Sequence, residues 1–207
     1  GSGSLSDNVD NTSSVPAGIT VPAGSVVQTQ STNIDRTSVN VVSARDFGDA
    51  PSSYGSTSHS IVSGTSLGAT VTAEGTNYNS AQANGDTGDD GISSFPALTP
   101  GATSYSIPAA NITATGTGTL HAWIDFNKNG TFDAGEYKSV AVTNNVPAAP
   151  LNWTGITAGA AGNTFARFRF TSDATITAST PSGSATNGEV EDYQVAIAPA
   201  TSSISGT

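Results

Sequence analysis

Alternating apolar and polar positions predict short β-strands through the middle of the chain. In LHAWIDF, Leu120, Ala122, Ile124 and Phe126 fall on one face, because successive side chains of a strand point to opposite sides. FARFRF and VEDYQVAIA alternate in the same way, and YKSVAV, TSYSIP and NITATG are further strand candidates. Clusters of Gly, Asn, Pro and Asp separate these runs, and no apolar stripe of helical spacing is present. The pattern predicts an all-β fold, an antiparallel β-sandwich or jelly-roll with long loops.

Composition divides the chain into three predicted regions. Residues 1–40 contain a GSGS tag and a segment poor in aromatic residues, which we interpret as a linker with at most weak strands such as GITVPAGSVV and TSVNVV. Residues 41–198 hold the strand pattern and are the predicted β-sandwich domain. Residues 199–207 form a Ser/Ala/Thr-rich tail, predicted as a second linker.

The charge of the chain excludes several classes of partner. The 207 residues include 16 Asp and Glu against 6 Lys and Arg, a formal charge of -10. Nucleic acids and anionic membrane surfaces bind clustered Lys and Arg, so neither is an expected partner. No apolar run reaches the ~20 residues that a membrane-spanning helix needs. The absence of cysteine and the abundance of Ser, Thr and Gly are typical of long secreted bacterial proteins, and we expect a secreted or cell-surface location.

The acidic residues are concentrated rather than dispersed. Eleven of the 16 lie in four short segments that contain glycine: Asp46 and Asp49; Asp86, Asp89 and Asp90; Asp125, Asp133 and Glu136; Glu189, Glu191 and Asp192. Like charges at close range repel, so a merely solubilising surface would not concentrate them. A bound cation gives such clusters a physical reason, and we predict that these residues are metal ligands.

The segment DFNKNGTFDAGE carries the most specific motif. It satisfies D-x-[DN]-x-[DN]-G-x5-E at every position. Its predicted ligands are the side chains of Asp125, Asn127, Asn129, Asp133 and Glu136 and the backbone carbonyl of Thr131. Three carboxylates in an oxygen-rich loop favour Ca²⁺ over Mg²⁺, which prefers a smaller octahedral site. The flanking strand patterns predict that the loop joins two strands, and a plain Asn-Gly hairpin turn is the alternative.

The other three segments leave more alternatives open. A turn after a strand explains DFGDAP without a ligand, and a solvated loop explains NGDTGDDG. In GEVEDY, Glu189 or Glu191 could instead form an exposed pair with Arg167 or Arg169 on a neighbouring strand.

Together these segments resemble a known family. DFGDAP, LGATVTAEG, GDTGDDGI, WIDFNKNGTFDAGE, FARFRF and GEVEDY occur in the order found in the GEVED family of bacterial extracellular domains, over about residues 46–197. The chain is also similar to the calcium-dependent peptide-binding domains of repeats-in-toxin (RTX) adhesins. The resemblance implies a β-rich, calcium-binding module that recognises the C-terminal carboxylate of a peptide. The acidic loop GDTGDDGI is shorter here than is usual in the family.

These expectations define a leading function and two alternatives. The leading hypothesis is a monomeric, calcium-dependent module of a large secreted adhesin, which binds peptide or protein C-termini on a host or neighbouring cell during attachment or biofilm formation. A calcium with a vacant coordination position could hold the carboxylate, and the expected ligand site is Asp86, Asp89, Asp90 and Glu189. The alternatives are a calcium-rigidified structural spacer and a calcium-dependent carbohydrate-binding module with a glycan as partner.

An enzyme is not expected. GTSLG matches the serine-hydrolase elbow G-x-S-x-G, but no helix pattern follows it and His59 precedes it. His121 lies beside Trp123 on a predicted strand, where a packing role is expected. Trp123 and Trp153 are predicted to be core residues, because they are the largest apolar groups of a small core.

Overall fold

The structure is a computed structural model that describes the backbone of residues 26–32 and 36–42 and describes residues 44–199 with their side chains. The predicted tag and most of both predicted linkers lie outside the described residues. The chain divides into two compact units, residues 1–44 and 45–207. Among the described residues, no helix is long and apolar enough to cross a membrane.

The first unit contains one antiparallel pair of strands. Strand β1 (Val26–Thr32) pairs with β2 (Arg36–Val42), with Val26 opposite Val42. The predicted strand TSVNVV lies within β2, whereas GITVPAGSVV lies mostly outside the described residues.

The second unit is built from short strands, which confirms the all-β prediction. They are β3 (Arg45–Phe47), β4 (Thr57–Ser60), β5 (Ser66–Leu67), β6 (Ser104–Ile107), β7 (Ala114–Thr115), β8 (Gly118–Ile124), β9 (Tyr137–Val142), β10 (Leu151–Thr154), β11 (Gly162–Thr171), β12 (Gly183–Ala185) and β13 (Glu189–Ile197). The helical elements of residues 44–199 are the 3₁₀ turns Ser52–Tyr54, Ala109–Asn111 and Ala134–Glu136.

A four-stranded antiparallel sheet, ordered β13-β11-β8-β9, is the largest in the second unit. Strands β6 and β10 form a separate pair, and β3, β4 and β12 form a third sheet in which β4 and β12 run parallel. The parallel pairing joins segments more than 120 residues apart, and no local sequence pattern indicates it.

One face of the four-stranded sheet carries the hydrophobic core. Leu120, Ala122 and Ile124 from β8 and Ala166, Phe168 and Phe170 from β11 pack together with Tyr105, Ile107, Leu151 and Trp153 of the β6–β10 pair. The predicted alternation of these strands is therefore confirmed, and two layers enclose the core as in a sandwich. Both tryptophans are buried as predicted, and each large apolar side chain contributes about 1.5–3 kcal/mol relative to exposure.

The opposite face of the same sheet buries two arginines. Arg167 lies directly opposite Asp192 in the β11–β13 register, and the guanidinium holds both carboxylate oxygens at 2.7 and 2.8 Å. Arg169 donates to Nε2 of His59 at 2.9 Å and to three backbone carbonyls. The alternative pairing of Glu189 or Glu191 with these arginines is wrong. The two-residue period of β13 places both glutamates on the other face, and the pair that does form is buried.

Candidate cation-binding site

The central loop, residues 125–136, joins β8 to β9 as predicted. The Asp125 side chain is fully buried and accepts backbone N–H bonds from Asn129 at 3.1 Å and Gly130 at 2.9 Å. Gly130 has φ +85°, a conformation that strains other residues, which explains glycine at this position. The loop therefore has the sharp turn at Gly130 that the motif requires.

The remaining predicted ligands of the loop lie along the same turn. The side-chain oxygen of Asn127 accepts from the Asn129 N–H at 2.8 Å, and that of Asn129 accepts from the Thr131 N–H at 2.9 Å. The amides of Asn127 and Asn129 both donate to Oδ2 of Asp133. The side-chain oxygen of Asn127, with one bonded N–H, keeps a second lone pair for a cation, whereas Oδ1 of Asn129 and Oδ2 of Asp133 each accept from two donors.

Glu136 closes the loop from its C-terminal end. Its two carboxylate oxygens accept from the N–H groups of Asn127 at 3.2 Å and Asp133 at 3.1 Å. Burial, together with the charges of Asp125 and Asp133, raises the pKa of Glu136 to about 7. A cavity of about 270 Å³ adjoins the loop, and Asn127, Asp133 and Glu136 contribute to its wall.

A second group of carboxylates assembles at β3 and β13, and we call it the acidic cluster. Its members come from segments far apart in the chain: Asp46, Asp49, Glu74, Asp86, Asp89, Asp90, Glu189, Glu191 and Asp192. The structure thus brings together three of the four predicted acidic segments and leaves the central loop as a separate site.

Three members of the cluster have the spacing of metal ligands. Among the described residues, one carboxylate oxygen each from Asp46, Glu74 and Asp86 lie within 4.8 Å of one another. The carboxylates of Asp125, Asp133 and Glu136, also described, do not form such a group.

Backbone N–H groups from distant parts of the chain position two of these three carboxylates. Asp46 lies in β3 and accepts from the Val190 N–H at 2.5 Å. Glu74 forms a bridge with Arg45, and its side chain accepts from the Phe47 N–H at 2.9 Å.

Sequence reasoning missed Glu74. The residue stands alone in LGATVTAEG, without the neighbouring acids that drew attention to the other segments. Its position in LGATVTAEG, one of the segments that resemble the GEVED family, could have indicated it. Its proximity to Asp46 and Asp86 exists only in the tertiary structure.

Asp49 contains a buried oxygen atom without a hydrogen-bond partner. Its Oδ2 accepts from the N–H groups of Gly85 and Asp86, whereas Oδ1 has no partner, and the residue is 2 % exposed. Burial, then the charge of Asp192, raises the pKa of Asp49 to about 6. Leaving a buried carboxylate oxygen unpaired is costly, so this atom is suited to a cation.

Asp89 lies close to Asp49 and Asp192. Its Oδ1 accepts from the Asp192 N–H at 3.3 Å. Burial and the charges of Asp192 and Asp49 raise the pKa of Asp89 to about 10. Without a cation, this carboxyl is therefore held as the neutral acid at pH 7.

The two glutamates of β13 face the segment around residues 67–91. Glu189 accepts from the Leu67 N–H at 2.5 Å, and Glu191 accepts from the N–H groups of Asp90 at 2.9 Å and Gly91 at 2.6 Å. Burial raises the pKa of Glu189 to about 10 and of Glu191 to about 7. Both glutamates are fully buried, so they hold loops in place whether or not they also contact a cation.

Two predicted ligands, Asp192 and Asp90, already bond to other groups of the protein. Asp192 is neutralised by Arg167 and accepts from the Ala50 N–H at 2.8 Å, so it has less negative charge to offer a cation. Asp90 is exposed and accepts from the Ala69 N–H and the Thr70 hydroxyl at 2.9 and 3.1 Å.

The donor set of the cluster fits a hard divalent cation. Ca²⁺ binds about six to eight oxygen ligands. The cluster offers carboxylate oxygens from separate loops, and one of them, Oδ1 of Asp49, has no hydrogen-bond partner. Burial and mutual repulsion raise the pKa values of Asp46, Asp49, Asp89, Glu189 and Glu191. Arg167 forms the one ion pair with a carboxylate among residues 44–199.

Comparison with known proteins found one similarity, in the C-terminal half of the described domain. The profile of the GEVED domain matches residues 119–196. This segment runs from β8 to β13 and includes both the central loop and the glutamates of GEVEDY. The match supports the GEVED resemblance there. Neither the curated proteins nor the solved structures gave a match.

The residues considered for hydrolase chemistry occupy other environments. Ser66 lies in β5, and no α-helix follows it in the described part of the chain. The ring nitrogens of His59 contact the Asn187 carbonyl at 2.8 Å and the Arg169 Nε at 2.9 Å. That the domain is not an enzyme stays a prediction.

Proposed function

We propose that this domain is a calcium-dependent ligand-binding module of a secreted bacterial adhesin, and that it recognises the C-terminal carboxylate of a peptide or protein. The observation that carries the proposal is the acidic cluster with the unpaired, buried Oδ1 of Asp49. Such an assembly is unfavourable without positive charge, and a calcium ion supplies it.

Calcium is preferred over other common cations for chemical reasons. Cysteine is absent from the sequence, and the group with metal-ligand spacing among the described residues contains no histidine, so the soft and borderline ligands of zinc or copper are missing from it. Calcium accepts six to eight oxygen ligands in irregular geometry, whereas magnesium retains several waters.

The net charge of the protein and the exposure of its acidic residues indicate the chemistry of the ligand. A protein with a net charge of -10 repels an anionic peptide end unless a cation lies between them. Asp86, Asp89 and Asp90 all retain solvent exposure, whereas Glu189 is buried. A ligand carboxylate would therefore approach calcium from the side of residues 86–90.

Calorimetric titration of a tripeptide library tests the proposal. Each peptide is used with a free C-terminal carboxylate and as the amide, in calcium and after calcium removal. We expect binding of the free acid in calcium only. Equal binding of acid and amide, or binding that persists without calcium, would contradict the proposal.

A structural spacer remains the second candidate, because Asp46, Glu189 and Glu191 are buried and fasten distant segments to one another. In that case calcium raises the melting temperature while neither the peptide library nor a glycan array binds. A glycan ligand would instead indicate the carbohydrate-binding alternative.

A further inference from the structure

The dipeptide Asn-Gly occurs three times in the chain, at residues 84–85, 129–130 and 187–188. Asparagine is one of the chemically labile residues. It is most labile before glycine, because a residue without a side chain lets its backbone nitrogen approach the preceding carboxamide closely. The sequence treats the three sites alike, so the structure decides which of them can react.

The side chain of Asn129 folds forward over the following residues. Its Oδ1 accepts from the backbone N–H of Thr131 at 2.9 Å and from the hydroxyl of the same residue at 2.8 Å. Its amide nitrogen donates to Oδ2 of Asp133 at 2.7 Å. A side-chain oxygen held by the residue two positions ahead forms an Asx turn, which bends the carboxamide over the peptide bond to Gly130. The two donors also polarise the carbonyl group and make its carbon more electrophilic.

The backbone nitrogen of Gly130 faces a carboxylate that can act as a base. Its N–H donates to Oδ2 of Asp125 at 2.9 Å. A carboxylate in this position can accept the proton while the nitrogen attacks, as a general base does. Asn129 is exposed, so water reaches its carboxamide. A nucleophile, its base and an activated carbonyl group therefore lie together in one turn.

The other two asparagines are held differently. Oδ1 of Asn84 accepts from the hydroxyl of Ser80 at 2.5 Å, and Oδ1 of Asn187 accepts from residues 171 and 172, both at 2.9 Å. In neither case does the residue two positions ahead hold the side-chain oxygen. The N–H of Gly85 also donates to a carboxylate, so a base alone does not distinguish residues 129–130. The forward-folded side chain does.

We propose that Asn129 deamidates spontaneously through a succinimide that the Gly130 nitrogen closes. The bond between this nitrogen and Cγ of Asn129 forms as Asp125 accepts the N–H proton. The bond from Cγ to Nδ2 then breaks, and Nδ2 leaves as ammonia with one proton from solvent, to which Asp125 returns its own. Water opens the ring at Cγ to give aspartate at position 129, or at the backbone carbonyl to give isoaspartate.

The aspartate product changes what the central loop requires. The amide nitrogen that donates to Asp133 becomes a carboxylate oxygen, so two like charges face each other where a hydrogen bond was. The carboxylates of Asp125, Asp133 and Glu136 gain a fourth, and aspartate is the other residue that the metal motif accepts at this position. A calcium ion among these oxygens would relieve the repulsion. This consequence rests on the proposed calcium binding, whereas the deamidation itself does not.

The three asparagines of the wild-type protein provide the main test. The protein is kept free of calcium in ¹⁸O-labelled water at mildly alkaline pH, and peptide mapping by mass spectrometry follows each site. We expect Asn129 to deamidate at least about 10-fold faster than Asn84 and Asn187, with one labelled oxygen at position 129. In urea the three rates should become similar. A rate at Asn129 that does not exceed those of the other two sites in the folded protein would overturn the proposal.

One pair of variants tests the role of the turn. Thr131→Val removes the hydroxyl donor from Asn129 and keeps the N–H, so deamidation at Asn129 should slow towards the rates of the other sites. Thr175→Val is the matched control, because the Thr175 hydroxyl makes the equivalent bond to Asp173, at 2.7 Å, outside the loop. It should leave the rate at Asn129 unchanged. Equal rates in the two variants would contradict the assigned geometry.

Calcium titration of Asn129→Asp separates this inference from the proposed function. The variant should bind calcium more tightly than the wild type and should melt at a lower temperature without calcium. Asn145→Asp adds the same charge at an exposed residue after β9 and should change neither. If Asn129→Asp gains no calcium affinity, calcium binding by the central loop fails, while deamidation measured in the wild type stands. If calcium binds but Asn129 does not deamidate, only this inference fails.

Discussion

The hydroxyl group of Tyr54 donates a hydrogen bond of 2.7 Å to Oδ2 of Asp125. Tyr54 ends a 3₁₀ turn that follows β3, and its backbone carbonyl accepts from Arg167 at 3.2 Å. Arg167 in turn holds Asp192 of the acidic cluster. A continuous set of contacts therefore connects the central loop to the cluster through Tyr54 and Arg167, which are ligand candidates for neither site.

Replacement of Tyr54 should weaken calcium binding at the central loop. Tyr54→Phe keeps the packing against Phe132 and Phe165 but removes the donor that orients Asp125. Loss of a group that orients a metal ligand typically lowers affinity about 10-fold or more. Calorimetric calcium titration should show this loss, while Tyr78→Phe, at an exposed tyrosine, should leave the affinity unchanged.

Breaking the buried pair of Arg167 and Asp192 should destabilise the fold strongly. Asp192→Asn leaves Arg167 without its carboxylate, and removal of one partner of a buried pair costs about 3–5 kcal/mol. Urea unfolding at a fixed calcium concentration measures the loss. Arg167→Met combined with Asp192→Leu should recover part of it, because no charge is left unpaired. A double variant as unstable as the sum of the single variants would contradict this account.

Calcium-free protein should lose stability as the pH rises above neutrality. Folded-state pKa values of about 7 for Glu136 and Glu191 and about 10 for Asp89 lie above those of the unfolded chain. The native state therefore binds more protons than the unfolded state, and the free energy of unfolding falls with increasing pH.

The two histidines set the lower pH limit of this measurement. Burial lowers the pKa of His59 to about 3 and of His121 to about 4, which makes stability rise with pH up to about 6.5. Melting temperatures of calcium-depleted protein should consequently fall between pH 6.5 and pH 8.5. Saturating calcium should remove most of this dependence, since the ion replaces the protons. A flat profile without calcium would show that the carboxyl groups are not held protonated.

Gly91 should tolerate no side chain. A Cβ at this position would lie 2.6 Å from Oε2 of Glu191 and 2.6 Å from Cβ of Leu67. Gly91→Ala should therefore displace Glu191 and destabilise the domain by about 1–3 kcal/mol. Gly75→Ala is the control, because a Cβ there meets nothing within 4 Å. Thermal unfolding of both variants in calcium makes the comparison, and equal melting temperatures would contradict it.

The sequence by itself determined the four strands of the largest sheet, the faces of those strands and the central loop. Alternation placed Leu120 and Phe168 in the core, because the side-chain period of a strand is two wherever it folds. The motif of residues 125–136 was recognisable because all its predicted ligands lie in one short continuous segment. Such features depend on local geometry, which neighbouring residues specify.

Only the tertiary structure decided the composition of the acidic cluster. Glu74 meets Asp46 and Asp86, and Arg167 takes Asp192 rather than Glu189 or Glu191. The unpaired oxygen of Asp49 is likewise defined by what surrounds it after folding. The hydrogen bond from Val190 to Asp46 joins residues that are 144 positions apart in the chain. The pairing, burial and pKa of a carboxylate depend on which distant groups lie next to it after the sheets have packed. Spacing along the chain does not predict those neighbours.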